Sequence, residues 1–310
     1  MSDFIEIRND SGLSVFVLPY GATLASIQFP AKDGKPIDLI LGFATKEDYE
    51  KDTAYIGRTV GRVANRVKNA EFEFQGKKFE LEANNPPHSL HGGSKGIAFK
   101  EWEVVRHSNK SVSLRVKVDD ESDGFPGDAI IEVTYTVNDR NQLVIEHFAT
   151  CTKPGVLALT NHAYWNLDGS ETISDHILEV SASSYLPVDE TCCPTGAILT
   201  VQNTDFDFRS PKSLASLADE NKLIRLDNDL LLDPVNQCSP HCVRLRSDVS
   251  GIQLDISTSY PKRRFVWTEQ GISIEAQFPS AALNFKNFAD VFMEPGRQYC
   301  QEVVHTFSCI

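Results

Sequence analysis

Two short stretches carry side chains that could exchange protons with a bound molecule, and both read as extended chain. In Leu159-Thr160-Asn161-His162-Ala163-Tyr164-Trp165-Asn166-Leu167, the preceding run Gly155-Val156-Leu157-Ala158 delivers the backbone already extended. Strand alternation then sets Thr160, His162 and Tyr164 on one face and Leu159, Asn161, Ala163 and Trp165 on the other. A hydroxyl, an imidazole and a phenol together suit a polar ligand. A single histidine is also commonly a structural donor satisfied by a neighbouring hydroxyl. In Gly271-Ile272-Ser273-Ile274-Glu275-Ala276-Gln277 the alternation is equally clean, with Ser273, Glu275 and Gln277 sharing one face. That pattern fits a carboxylate aimed at a ligand and fits a plain solvent face equally well.

Two loops add binding chemistry. Gly57-Arg58-Thr59-Val60-Gly61-Arg62-Val63-Ala64-Asn65-Arg66 puts three arginines and an amide within ten residues. It lacks the Lys-Ser/Thr pair and the following helix of a phosphate loop. Guanidinium forks and an amide suit hydroxyl-rich or anionic ligands, and the alternative is a solvated basic turn. Asn84-Asn85-Pro86-Pro87-His88-Ser89-Leu90-His91-Gly92-Gly93 follows, and its paired glycines would allow backbone to approach a ligand beside His91.

The elements that must position these groups are strands. Alternating segments recur from Phe4 to Ile7, Leu13 to Leu18, Thr23 to Phe29 and Ile37 to Leu41, and on through Ile130 to Val137, Leu143 to Ala149, Ile252 to Ser257 and Gln298 to Phe307. Turn signals such as Asn9-Asp10-Ser11-Gly12 separate them. Two segments read as helical. Thr45 to Asp52 has Thr45 and Asp48 placed as a short capping box, and Ser210 to Asn221 has Pro211 in its first turn with Leu214 and Leu217 on one side. With no strand–helix–strand rhythm, no repeat and no low-complexity linker, the expectation is a single all-β domain over residues 1–310, two antiparallel sheets packed face to face.

Composition narrows the partners. A net charge of −13 disfavours nucleic acid and anionic membrane surfaces, and no stretch approaches the length of a membrane span. Met1-Ser2-Asp3-Phe4-Ile5-Glu6 carries no charged-then-apolar leader pattern. The seven cysteines are irregularly spaced, so reduced thiols in the cytoplasm are expected. Cys238-Ser239-Pro240-His241-Cys242 has a faint zinc-like spacing but no second ligand pair to match it, and neither metal nor cofactor is expected.

Taken together, these stretches resemble the aldose 1-epimerase (galactose mutarotase) family, in order and through nearly the whole chain. Gly61-Arg62-Val63-Ala64-Asn65-Arg66 is similar to the family's arginine loop, and Ser89-Leu90-His91-Gly92-Gly93 to its histidine loop. Asp123-Gly124-Phe125-Pro126-Gly127-Asp128 resembles its acidic turn, and Thr160 to Leu167 its signature strand. Tyr185-Leu186-Pro187-Val188-Asp189-Glu190 with Pro194-Thr195-Gly196 matches a further loop. The resemblance implies a large β-supersandwich with an open sugar cleft across one sheet. It implies His162 as general acid, Glu275 as base, and Asn65, Arg66, His91, Tyr164 and Asp227 as sugar contacts. Asp227 is followed by Asn228 where the family usually has histidine. The implied protein handles a small sugar as monomer or weak homodimer.

The residue types fit that chemistry. An anomeric hydroxyl needs a base to take its proton as the ring opens, and the departing ring oxygen needs an acid. One departure stands out. Tyr260-Pro261-Lys262-Arg263-Arg264-Phe265-Val266-Trp267-Thr268 puts Arg264 where the family's glutamine would touch sugar, and the loop before Glu275 is short. Two other readings stay open: a glycosidase using Glu275 and Asp227, which leaves His162 without a task, and a sugar-binding protein without turnover. An epimerase for acidic or phosphorylated sugars is a variant of the first.

Overall fold

The computed structural model describes residues 3–219, 222–223, 226–233, 241–260, 262–268, 270–288 and 290–310, with residues 262–267 described by their backbone pairing. All-β is the outcome. The alternating segments form three main sheets in which every hydrogen-bonded strand pair is antiparallel. Ile5–Arg8, Ser14–Leu18, Thr23–Pro30 and Pro36–Asp38 make a four-stranded meander. The largest sheet has nine strands. At its centre Gln142–Thr150 pairs with the long Tyr299–Cys309 strand, which pairs in turn with Ile252–Thr258.

The third sheet carries the chemistry. Its order runs Tyr164–Trp165, Ile272–Gln277, Lys262–Trp267, Asp227–Leu232, Ala182–Leu186 and Leu199–Thr200. Alternation along Ile272–Gln277 sends Ile272, Ile274 and Ala276 into the same apolar core as Leu254, Ile256 and Phe307 of the nine-stranded sheet. Trp165 joins the two layers directly, its ring centroid 5.1 Å from His305 and 6.1 Å from Phe307. Burying these side chains on one face commits Ser273, Glu275 and Gln277 to the other, because a one-residue slip would invert both sets. A polar seam also ties the layers. Tyr299 Oη accepts the Leu159 amide at 3.1 Å and lies 3.0 Å from Tyr260 Oη, which is 3.2 Å from His147 Nδ1.

One expected helix forms and one does not. Lys46–Lys51 is the only α-helix among the described residues, capped by Thr45, whose side chain accepts from the Asp48 amide. The segment from Ser210 is instead the short strand Lys212–Ser213, a 3-10 turn Leu214–Leu217 and a two-residue strand, and Asn221 lies outside the described residues. Leu214 and Leu217 do share a buried face, as their spacing suggests. However, the Leu214 and Ala215 amides are spent on the carbonyls of His176 and Ser174. Those N–H groups are unavailable for an α-helical ladder.

Candidate active site

His162 and Glu275 meet across the third sheet. His162 is fixed by its backbone on both sides: its amide donates to Arg58 O at 2.8 Å and its carbonyl accepts from Gly57 at 3.0 Å. Tyr164 pairs in register with Ser273, two residues before Glu275. His162 Nε2 thereby stands 3.7 Å from Glu275 Oε1, and Ser273 Oγ stands 3.5 Å from His162 Nδ1. The Nε2–Oε1 separation is an ion-pair distance, longer than a hydrogen bond. Both side chains are buried, Glu275 completely. Glu275 is therefore no solvent-face carboxylate.

His91 completes the cluster, its ring centroid 5.1 Å from that of His162 and edge-on to it. The Asn65 amide donates to His91 Nδ1 at 3.1 Å, and the His91 amide returns to Asn65 O at 3.1 Å. A Nδ1 that accepts leaves the proton of the neutral ring on Nε2, so His91 presents a donor. His91, His162 and Glu275 offer ligand atoms within 4.8 Å of one another. The donor types suit a divalent metal, but a ligating imidazole nitrogen must be bare, and the bond from Asn65 keeps His91 Nε2 protonated. The cluster does not fit a metal.

Gly92 does something other than receive a ligand. At φ +87° its Cα lies so close to Gly61 that a Cβ would come within 2.0 Å of the Gly61 carbonyl oxygen. The glycine lets the histidine loop press against the arginine loop, which brings His91 to Asn65.

The three loop arginines divide their tasks. Arg58 and Arg62 are fully buried, and neither belongs to a solvated basic turn. Arg58 donates to Tyr49 O, to Asp52 O at 3.2 Å and to Ala98 O at 3.3 Å, and its guanidinium lies 3.5 Å from the Asp52 carboxylate. Arg62 donates to the carbonyls of Gly127, Pro126 and Val156 and sits 3.9 Å from Asp123. The acidic turn is thus a socket for Arg62, which burial alone would leave costly as a cation. Arg66 is the least buried of the three. Its Nε donates to Asn85 Oδ1 at 3.0 Å and its Nη1 lies 3.9 Å from Asp227 Oδ2, with Asp227 buried on the strand Asp227–Leu232.

Tyr164 lies beside His162, ring centroids 5.1 Å apart. Burial and then the charge of Glu275 push its phenol well above the usual value, so it remains a donor. Residue 264 pairs in register with Asp229 on one side and Glu275 on the other. The Arg264 side chain, like Cys238 of the zinc-like spacing, lies outside the described residues. Cys242 is buried, its thiol donating to Ile256 O at 3.1 Å.

Several contributors escaped the sequence reading. Asn85, in the stretch before His91, carries no role from the sequence, yet its side-chain oxygen accepts from Arg66 Nε at 3.0 Å. Asp229 is fully buried and accepts from the Ser280 amide at 2.6 Å and from Ser280 Oγ at 2.9 Å. Tyr55 belongs to no motif. Its ring stands 4.8 Å from His91.

The buried His162–Glu275 pair, with His91 against His162, lies on one sheet of a β-supersandwich. The same architecture appears in an aldose epimerase homologue from C. elegans, with a TM-score of 0.97 and 51% identity over 100% of both chains. It appears again in galactose 1-epimerase from Lactobacillus acidophilus, with a TM-score of 0.86 and 27% identity over 99% of this chain and 94% of that one. Aldose 1-epimerase from Escherichia coli is 32% identical over 98% of this chain and 94% of its own, and galactose mutarotase from Mus musculus 34% over 98% and 93%. The family model described as aldose 1-epimerase matches residues 3–306. The chain belongs to the aldose 1-epimerase family.

Proposed function

We propose that this chain interconverts the α and β anomers of a free hexose such as galactose or glucose, with His162 as acid and Glu275 as base. The observation that carries the reading is the buried His162–Glu275 pair at 3.7 Å. The two oxygens that must exchange protons, the anomeric hydroxyl and the ring oxygen, hang on one carbon. A base and an acid this close can reach both from one side. Glu275 takes the anomeric hydroxyl proton while the C1–ring-oxygen bond breaks, and His162 delivers its proton to the departing ring oxygen. The product is the open-chain aldehyde. Rotation about C1–C2 turns the other carbonyl face to the hydroxyl, and reclosure runs both transfers in reverse.

Asn65 keeps His91 in its donor form, and His91, Arg66, Asp227 and Tyr164 orient the sugar hydroxyls. Arg264 is kept as a candidate sugar contact on its backbone register between Asp229 and Glu275 alone. We further infer a single domain over residues 1–310, acting as monomer or weak homodimer in the cytosol. The thiol state of all six described cysteines is consistent with that compartment.

Polarimetry on freshly dissolved pure anomers of galactose and glucose tests the reading. Wild type should accelerate equilibration well above the spontaneous rate, and His162→Ala should not. Turnover undiminished in His162→Ala would reject the assignment. Release of the aglycone from an aryl glycoside would point to a glycosidase instead.

A further inference from the structure

Tyr55 precedes the arginine loop and lies outside every motif, yet its backbone and side chain are built into the site. Asp52, which ends the helix, accepts the Ala54 amide at 2.8 Å and the Ile56 amide at 3.0 Å. That double anchor closes a tight turn with Tyr55 at its apex, in the left-handed region at φ +58°. A non-glycine residue there is strained and is held by its surroundings. The turn continues into Gly57 and Arg58, whose amide and carbonyl bracket the backbone of His162.

The ring is placed as firmly as the backbone. Its centroid lies 4.8 Å from His91 at an interplanar angle of 55° and 6.4 Å from His162 at 35°. Phe99 packs edge-on behind it at 5.5 Å. Asn84 Nδ2 donates to the phenol oxygen at 3.4 Å, and the same Asn84 brackets Leu90, accepting its amide at 2.8 Å and donating to its carbonyl at 3.0 Å. Tyr55 therefore touches the turn that holds His162, the loop that carries His91, and the imidazoles themselves. Tilted contacts at these centroid distances are attractive and directional. The phenol is also held in its neutral form, burial raising its pKa.

We propose that Tyr55 is a positioning residue that acts through His91 and sets the mutual orientation of His91 and His162, so that removing its ring slows turnover without removing a proton-transfer group. The proposal rests on the acid–base reading above. Its mechanical content is that the ring, rather than the hydroxyl, does the positioning, since the Asn84 contact is long for a hydrogen bond.

Three variants test it. Tyr55→Phe should keep near wild-type kcat. Tyr55→Leu should lower kcat about tenfold, a modest misplacement of a reacting group. In a His91→Ala background the same Tyr55→Leu change should alter kcat by less than about twofold, because the group it acts through is gone. Tyr55→Met carries the same expectations should Tyr55→Leu not accumulate as folded protein, and Tyr55→Phe stands whichever aliphatic variant folds. Full kcat in the aliphatic variant, an undiminished tenfold loss in the His91→Ala background, or a Tyr55→Phe loss as large as that of Tyr55→Leu would each overturn the proposal. If His162→Ala retains turnover, the acid–base reading itself fails. If His162→Ala is inactive while the Tyr55 variants behave as wild type, only the positioning role fails.

Discussion

Acid should loosen this protein through His147, a histidine with no part in the cleft. It lies on Gln142–Thr150, is buried between the layers, and its Nδ1 stands 3.2 Å from the Tyr260 hydroxyl. Burial pushes its pKa down to about 4. In the unfolded chain the ring titrates at the ordinary value of about 6.5. Between those values the unfolded state binds a proton that the folded state does not, so stability falls as pH falls. The contribution is intact above about pH 6.5 and the loss is complete below about pH 4. The gap corresponds to about 3 kcal/mol in total, of which about 2 kcal/mol is gone at pH 5. His147→Asn keeps a donor near the Tyr260 hydroxyl and removes the titration. Urea unfolding followed by tryptophan fluorescence at pH 7 and pH 5 should show wild type losing about 2 kcal/mol more than the variant over that interval. His88 and His176 are also depressed by burial, but they titrate alike in both proteins and cancel in the comparison. Equal pH sensitivity in the two proteins would refute the linkage, whatever the variant's stability at pH 7.

The cleft gives three further expectations. His162→Ala and Glu275→Gln should each lower kcat by about 10²–10⁴-fold with the fold intact by circular dichroism, and the double variant should fall well short of the product of the two losses, because both groups serve one concerted step. Arg66→Ala should chiefly raise KM, since its guanidinium links Asn85 to Asp227 beside the acid–base pair; an unchanged KM would make that link purely architectural. Arg264→Gln should leave the ranking of kcat/KM for galactose, glucose and glucose 6-phosphate unchanged, with the neutral sugars ahead. A phosphorylated sugar that leads in wild type and drops in the variant would show that the arginine selects anions.

How much of this could be read from the chain depends on which face of a strand speaks. Ile272, Ile274 and Ala276 are apolar and regularly spaced, so the strand and its two faces were legible, while periodicity left Glu275 between a ligand face and a solvent face and only the family resemblance gave it a role. His162 was legible for the same reason, flanked by the core residues Leu159, Ala163 and Trp165. The neighbouring strands of that sheet were not. Ala182–Leu186 and Asp227–Leu232 turn Ser183, Asp227 and Asp229 toward polar partners, and their sequences read ASSYL and DNDLLL, without the alternation that marks a half-buried strand. These two strands hide from periodicity because their polar residues stand next to one another in sequence instead of alternating with apolar ones.

The arginine loop shows the complementary limit. Composition marked Arg58, Arg62 and Arg66 as equivalent, yet Arg58 and Arg62 are fully buried struts while Arg66 keeps slight exposure. What separates them is acceptor geometry: the distant carbonyls of Pro126, Gly127 and Val156 for Arg62, and for Arg58 those of Tyr49 and Asp52 nearby with that of Ala98. All three arginines have a carboxylate within 4 Å, and composition alone does not show which of them will also be caged by carbonyls. The same holds for Tyr55, whose place against His91 is set by Asp52, Asn84 and Phe99, three contacts on three separate segments. The catalytic candidates were visible because chemistry restricts their type. Their supports were invisible because any residue of the right shape, delivered by the fold to the right place, can perform the task.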